Sequence, residues 1–97
     1  MVEFGISLNS TICRNDDVVF SEVEGETVIM NVGTGKYFNF SSVTSYIWDL
    51  MEHPIKVSKI CSALLDKYNV SNEQCEKEAL AVLNDLLKEE IINIYEQ

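Results

Sequence analysis

Two hydrophobic periods divide the chain. From Val18 to Phe40 short runs rich in β-branched and aromatic residues are cut by glycine-containing turns. From Ser41 onward apolar residues recur every three or four positions. "VVFSEV" (Val18–Val23) and "TVIMNV" (Thr27–Val32) flank Glu24-Gly25-Glu26, a short glycine-containing connection that predicts a hairpin. In the second run Val28, Met30 and Val32 share a face. Gly33-Thr34-Gly35 supplies another tight turn, and "KYFNF" (Lys36–Phe40) returns antiparallel. The result is a three-stranded meander. Thr11–Arg14 is a further small strand candidate, and residues 1–10, without a period, read as a loose tail or a short edge strand.

The helical part has three segments. Val43, Tyr46, Ile47, Leu50 and Met51 form a stripe that Ser41 or Ser42 can cap and that His53-Pro54 ends, because proline pushes its predecessor out of the helical region. Val57, Ile60, Cys61, Leu64, Leu65 and Tyr68 form a second, short amphipathic set with a poor N-cap. After a break at Asn69-Val70, "SNEQ" reads as a capping box: Ser71 caps and Gln74 reaches back. This third helix runs to about Glu90, and Ile91, Ile92 and Ile94 form an apolar tail expected to pack on the body. The predicted fold is α+β and winged helix-turn-helix-like, a three-stranded antiparallel sheet followed by three helices, in one domain over residues 1–97.

Composition narrows what such a domain does. At 97 residues the chain buries roughly 65% of its unfolded surface, enough for a core without staples. No apolar run approaches the ~20 residues of a membrane span, and no signal segment is visible. The three cysteines, Cys13, Cys61 and Cys75, are widely spaced and read as small buried hydrophobes in a reducing cytosol. The Asn-x-Ser/Thr triplets at Asn9, Asn39 and Asn69 then carry no meaning, and a cytoplasmic location is expected. A net charge of −9 repels phosphate, which disfavours nucleic acid and anionic membranes and leaves a peptide or protein partner with some positive charge.

No catalytic constellation is present. The one histidine, His53, precedes a proline and reads as a surface residue. Close Cys/His pairs that would hold a metal are missing, and Gly33-Thr34-Gly35 leads into a strand rather than the helix a phosphate loop needs. We therefore expect no enzyme, no cofactor and no metal. A DNA-reading third helix is also disfavoured. Between Ser71 and Glu90 it carries Glu73, Glu76, Glu78, Asp85, Glu89 and Glu90 against Lys77 and Lys88 only.

That helix has a broad apolar arc. With Leu83 at its centre, Leu80 and Leu87 fall on one side and Cys75, Ala79, Val82 and Leu86 on the other, together about 160° of surface. Either the sheet and the other helices cover the whole arc, or one flank floors a groove whose lip is Glu78, Asp85 and Glu89. Cys75, Ala79 and Val82 are small, which suits a groove. Its wall would be Lys36–Phe40, an outer strand with one lysine and no proline to block its edge, to which an extended peptide could add. Alternation puts Phe38 and Phe40 on one face and Tyr37 on the other, and leaves open which set meets the peptide.

The stretch "NVGTGKYFNFSSVTSYIWDLM" resembles the PqqD-like family of RiPP recognition elements. Asn31, Gly35, Tyr37, Phe38, Phe40, Ile47, Trp48 and Leu50 occupy the family's pattern, and "ICSALLDKYNVS" and "ALAVLNDLLKEEII" are similar to its second and third helices. Ser41, in place of the usual asparagine, keeps a cap; Thr44 replaces a common glycine or alanine. The likeness spans about Thr11 to Ile94. It implies a non-catalytic protein that binds the leader of a ribosomal precursor peptide as an added strand over the third helix. Free-standing members look most like the leader-binding subunits of lasso peptide pathways, which deliver the precursor to a separate cysteine peptidase, and others serve radical SAM enzymes. On this basis Lys36, Tyr37, Phe38 and Asn39 would pair with the leader. Cys75, Glu78, Ala79, Val82, Asp85 and Leu86 would form the groove, and Tyr46 and Trp48 would lie in the core. The competing expectation is an acidic winged-helix module for unrelated protein–protein contacts.

Overall fold

A computed structural model of the chain describes residues 5–95. In chain order it contains β1 (Thr11–Arg14), β2 (Val18–Val23), β3 (Glu26–Asn31), β4 (Lys36–Phe40), α1 (Ser42–Leu50), β5 (Ile55–Lys56), α2 (Val57–Lys67), α3 (Asn72–Lys88) and β6 (Ile92–Ile94). The expected meander is the antiparallel sheet β2-β3-β4, followed by the three expected helices. Its first turn is tighter than the sequence implied. Val23 pairs with Glu26, leaving the two-residue loop Glu24-Gly25 with φ of 54° and 83°. Positive φ at both central residues gives the twist that matches paired strands, and glycine accepts it without strain.

The meander packs by one face. Thr27, Ile29, Asn31 and Phe40 are buried, whereas Val28 and Met30 are half-buried and Val32 is exposed. The row Val28-Met30-Val32 therefore does share a face, but it is the outward one, and the core takes Ile29 with its half-buried β4 partner Phe38, while its β2 partner Phe20 stays exposed at the rim. Beneath lies Trp48 from α1, buried and edge-on to Phe20 at 5.3 Å and to Phe40 at 6.1 Å. The Arg14 guanidinium sits 4.2 Å from the Trp48 ring centre and donates from Nη2 to the Trp48 carbonyl at 2.8 Å. Buried Ser45 couples α1 to the sheet: its Oγ accepts from the Thr27 amide at 3.1 Å.

A second sheet, of order β5-β1-β6, was only partly anticipated. Thr11 and Ile12 pair with Lys56 and Ile55, and Ile12, Cys13 and Arg14 pair with Ile94, Asn93 and Ile92. The apolar tail is thus a strand, with Ile91 and Ile92 fully buried and Ile94 partly exposed. Residues 5–10 are neither a strand nor loose. Ile6 is buried, its amide bonds Asn84 Oδ1 at 2.9 Å, and the Leu8 carbonyl accepts from the Ser58 amide. Residues 1–4 of the expected tail lie outside the described residues.

The helix caps follow the residue types. Ser41 and Ser71 accept from the Thr44 and Gln74 amides, while α2 begins without a side-chain cap. The capping box at Ser71 is only half formed, because the Gln74 amide group turns to Glu78 Oε2 at 2.9 Å instead of reaching back. At the other end of α3, Glu90 takes φ 62° and the Ile91 amide bonds the Leu86 carbonyl, a left-handed helix end. The Glu90 carbonyl, freed by that turn, accepts from Asn31 Nδ2 at 2.7 Å and from Asn15 Nδ2 at 2.8 Å. Asn31 Oδ1 also accepts from the Thr34 amide. One buried amide side chain therefore shapes the β3–β4 turn and fastens it to the end of α3.

Candidate functional site

Two features border α3. The first is the edge of β4. Lys36–Phe40 pairs with β3 on one side, Lys36 with Asn31 through Phe40 with Thr27, and among the described residues nothing pairs with its other side. Phe40 is buried and Phe38 half-buried against the core, whereas Tyr37 (73% exposed) and Asn39 point outward. The aromatic alternation is thus settled: the two phenylalanines anchor the strand and leave its backbone edge open. Lys36 Nζ reaches Glu89 Oε1 at 3.3 Å, placing the start of the strand beside the end of α3.

The second feature is an apolar cavity of about 180 Å³ between the three helices. From α3 it is lined by Cys75, Glu78, Ala79 and Val82. The α1 wall is Val43 and Ile47, and the far side is Leu64, Tyr68 and Val70. The broad arc of α3 is therefore not wholly covered. Cys75 and Ala79 are buried beneath the cavity, Val82 is half-buried and Glu78 is exposed at its mouth. Two of the expected groove residues stand apart from this cavity: Leu86 is buried in the core and Asp85 is exposed further along the helix. Lys36, Tyr37, Phe38 and Asn39 lie on the strand and do not line it. Val43, Ile47, Leu64, Tyr68 and Val70 line the cavity and were not among the expected groove residues. Their i, i+4 spacing in α1 and α2 marked them as an apolar face without saying that part of it stays uncovered.

Tyr46 is half-buried rather than central. Its ring meets Tyr68 edge-on at 6.3 Å, and Lys67 Nζ lies 4.9 Å from its centre. His53 is exposed, as expected of a surface residue. Among the described residues no group of three or more metal-ligating side chains occurs.

The cysteines behave as packing residues. Cys75 Sγ lies 3.6 Å from the Cys61 carbonyl, and both side chains are buried. Burial, helped by the neighbouring Cys75 and Glu76, pushes the Cys61 thiol up to about 11, and burial also raises Cys75 and Cys13. A thiol whose folded pKa lies above its unfolded one favours folding in its neutral form. That contribution is complete below about 9 and is lost as pH rises towards about 11. Denaturation midpoints are expected to fall across that alkaline window, and less steeply in Cys61→Ala. An equal fall in the variant would remove Cys61 from the account.

The family model for coenzyme PQQ synthesis protein D (PqqD) matches residues 26–92, from the start of β3 to the first residue of β6. The chain belongs to the PqqD family. Among solved structures it is similar to "TbiB1 in Complex with the TbiA(beta) Leader Peptide". The identity is 28% over 88% of this chain and 99% of that one, with a TM-score of 0.81. A second structure, "Lasso peptide synthetase B1 complexed with the leader peptide", shares the fold at TM-score 0.71 and 11% identity, over 84% of this chain and 96% of that one. Comparison with curated proteins finds no match. For this PqqD-family chain no helix among the described residues is long and apolar enough to cross a membrane.

Proposed function

We propose that this protein is a non-catalytic, cytoplasmic leader-peptide recognition element. It binds the leader of a ribosomal precursor as a strand added to the free edge of β4 and delivers the precursor to a maturation enzyme, with a leader peptidase of a lasso peptide pathway favoured. The observation that carries this reading is the open β4 edge beside a half-covered apolar helix face. An extended peptide satisfies its backbone along such an edge and places alternate side chains into pockets beside it. The 28% identical TbiB1 structure, solved with a leader peptide and similar over nearly its whole length, supports it. In this reading the amides and carbonyls of Lys36–Asn39 pair with the leader. Cys75, Glu78, Ala79 and Val82 receive one of its apolar side chains, with Asp85 further along the groove and Leu86 supporting it from the core.

Calorimetry with the leader of a precursor encoded beside this gene tests the proposal. Saturable one-to-one binding is expected, with a negative heat-capacity change from the buried apolar side chain. A leader that gives no heat and no competition at high micromolar concentration contradicts it.

A further inference from the structure

We infer that the groove selects a basic peptide: a Lys or Arg beside the apolar anchor residue, read by the carboxylates of Glu78 and Asp85. The inference rests on the reading of the groove as a peptide site and adds the class of peptide it takes. On a wheel turning about 100° per residue, Glu78, Val82, Asp85 and Glu89 fall within about 60° of one another, a single stripe along α3. The cavity-lining Glu78 and Val82 form one end of that stripe, and the Lys36–Glu89 contact brings its other end to the first residue of β4.

The three acids differ in what already faces them. Glu89 is paired with Lys36, the single ion pair among the described residues. Glu78 stands at the cavity mouth, held there by the bond from Gln74 to its Oε2, and among the described residues its other oxygen accepts no hydrogen bond. Asp85 is exposed and forms no ion pair among the described residues, although Lys88, three residues on, is its neighbour on the helix surface. The helix's own lysines, Lys77 and Lys88, sit roughly 80–100° around from Glu78. Lys67, near the opposite wall, lies over the Tyr46 and Tyr68 rings at 4.9 and 5.9 Å. Glu78 and Asp85 are about 10 Å apart along the helix axis, an interval covered by roughly three residues of extended peptide. A peptide seated in the cavity therefore passes Glu78, which pairs with no cation among the described residues, and then Asp85, with Lys88 one turn beyond it, within a chain of net charge −9. An acidic residue next to the anchor is repelled there, and a basic one is attracted.

Selection from an mRNA-displayed library of random peptides on the immobilised protein tests this without knowledge of the natural leader. Enriched peptides are expected to carry Lys or Arg within a few positions of a bulky apolar residue, and to lose binding to Val82→Glu. For one such peptide, Lys→Glu should weaken binding about 3- to 10-fold, and Glu78→Lys or Asp85→Lys should restore the Glu peptide relative to the wild type. Enrichment without a basic excess, or charge reversals that leave the Lys and Glu peptides unchanged, would overturn this inference alone. If no peptide is enriched, or the enriched ones bind Val82→Glu normally, the groove is not a peptide site and both readings fall.

Discussion

Val82→Glu is expected to weaken leader binding about 10- to 100-fold while leaving the protein folded. Val82 is the half-buried member of the α3 wall, so its side chain faces the cavity without being wedged into the core. In the free protein a carboxylate there turns to water at little cost. In the complex it must either lose that water against an apolar leader side chain or displace it, at a cost of about 1–3 kcal/mol. That is roughly the stated loss in affinity. Ala79 is a less informative position, because at 2% exposed an aspartate there would be forced into the core and would damage folding as well. Val70→Glu, on the facing wall and 38% exposed, supplies the independent check. Calorimetry gives the affinity and thermal unfolding the integrity. Two folded variants that bind the leader normally would show that the cavity is not used.

Trp48→Ala should have the largest effect on stability. Trp48 is 1% exposed, lies edge-on to Phe20 and Phe40, and carries Arg14 on its ring. Truncation removes the plate on which the meander rests and opens a cavity that β2 and β4, each held on one side only, cannot collapse to fill. A loss of about 3–5 kcal/mol is expected, a large share of the roughly 5–15 kcal/mol that holds a domain together. Chemical denaturation measures it. Leader affinity per folded molecule should fall too, because Phe40, which anchors the end of β4, leans on the same ring. A loss near 1 kcal/mol would mean that Trp48 is not central to the packing.

The parts of the fold that could be read from the chain are those whose pattern repeats over several residues. Alternation and glycine turns marked β2, β3 and β4, and the 3.6-residue period marked the helices with Ser41 and Ser71 at their starts. The second sheet was hidden for a physical reason. Strands β1, β5 and β6 are two to four residues long, too short to show a period, and they pair across the length of the chain. The same limit applied to the face of β3. Val28, Met30 and Val32 are the more apolar row, yet the core takes Thr27, Ile29 and Asn31: the Glu90 carbonyl accepts from the Asn31 side chain and Ser45 from the Thr27 backbone amide, contacts that exist only once the chain is folded. For the site, the small residues of α3 gave away one wall. The facing wall from α1 and α2 looks in sequence like ordinary core, and only the packing of the three helices shows that it stays partly uncovered.

Amide hydrogen exchange along β4, followed by NMR with and without leader, tests strand addition most directly. The edge amides of Lys36–Phe40, those not bonded to β3, should exchange freely in the unbound protein and become strongly protected in the complex, while the amides of β2 stay unchanged. A leader that binds but leaves those β4 amides exchanging as before would contradict strand addition at this edge.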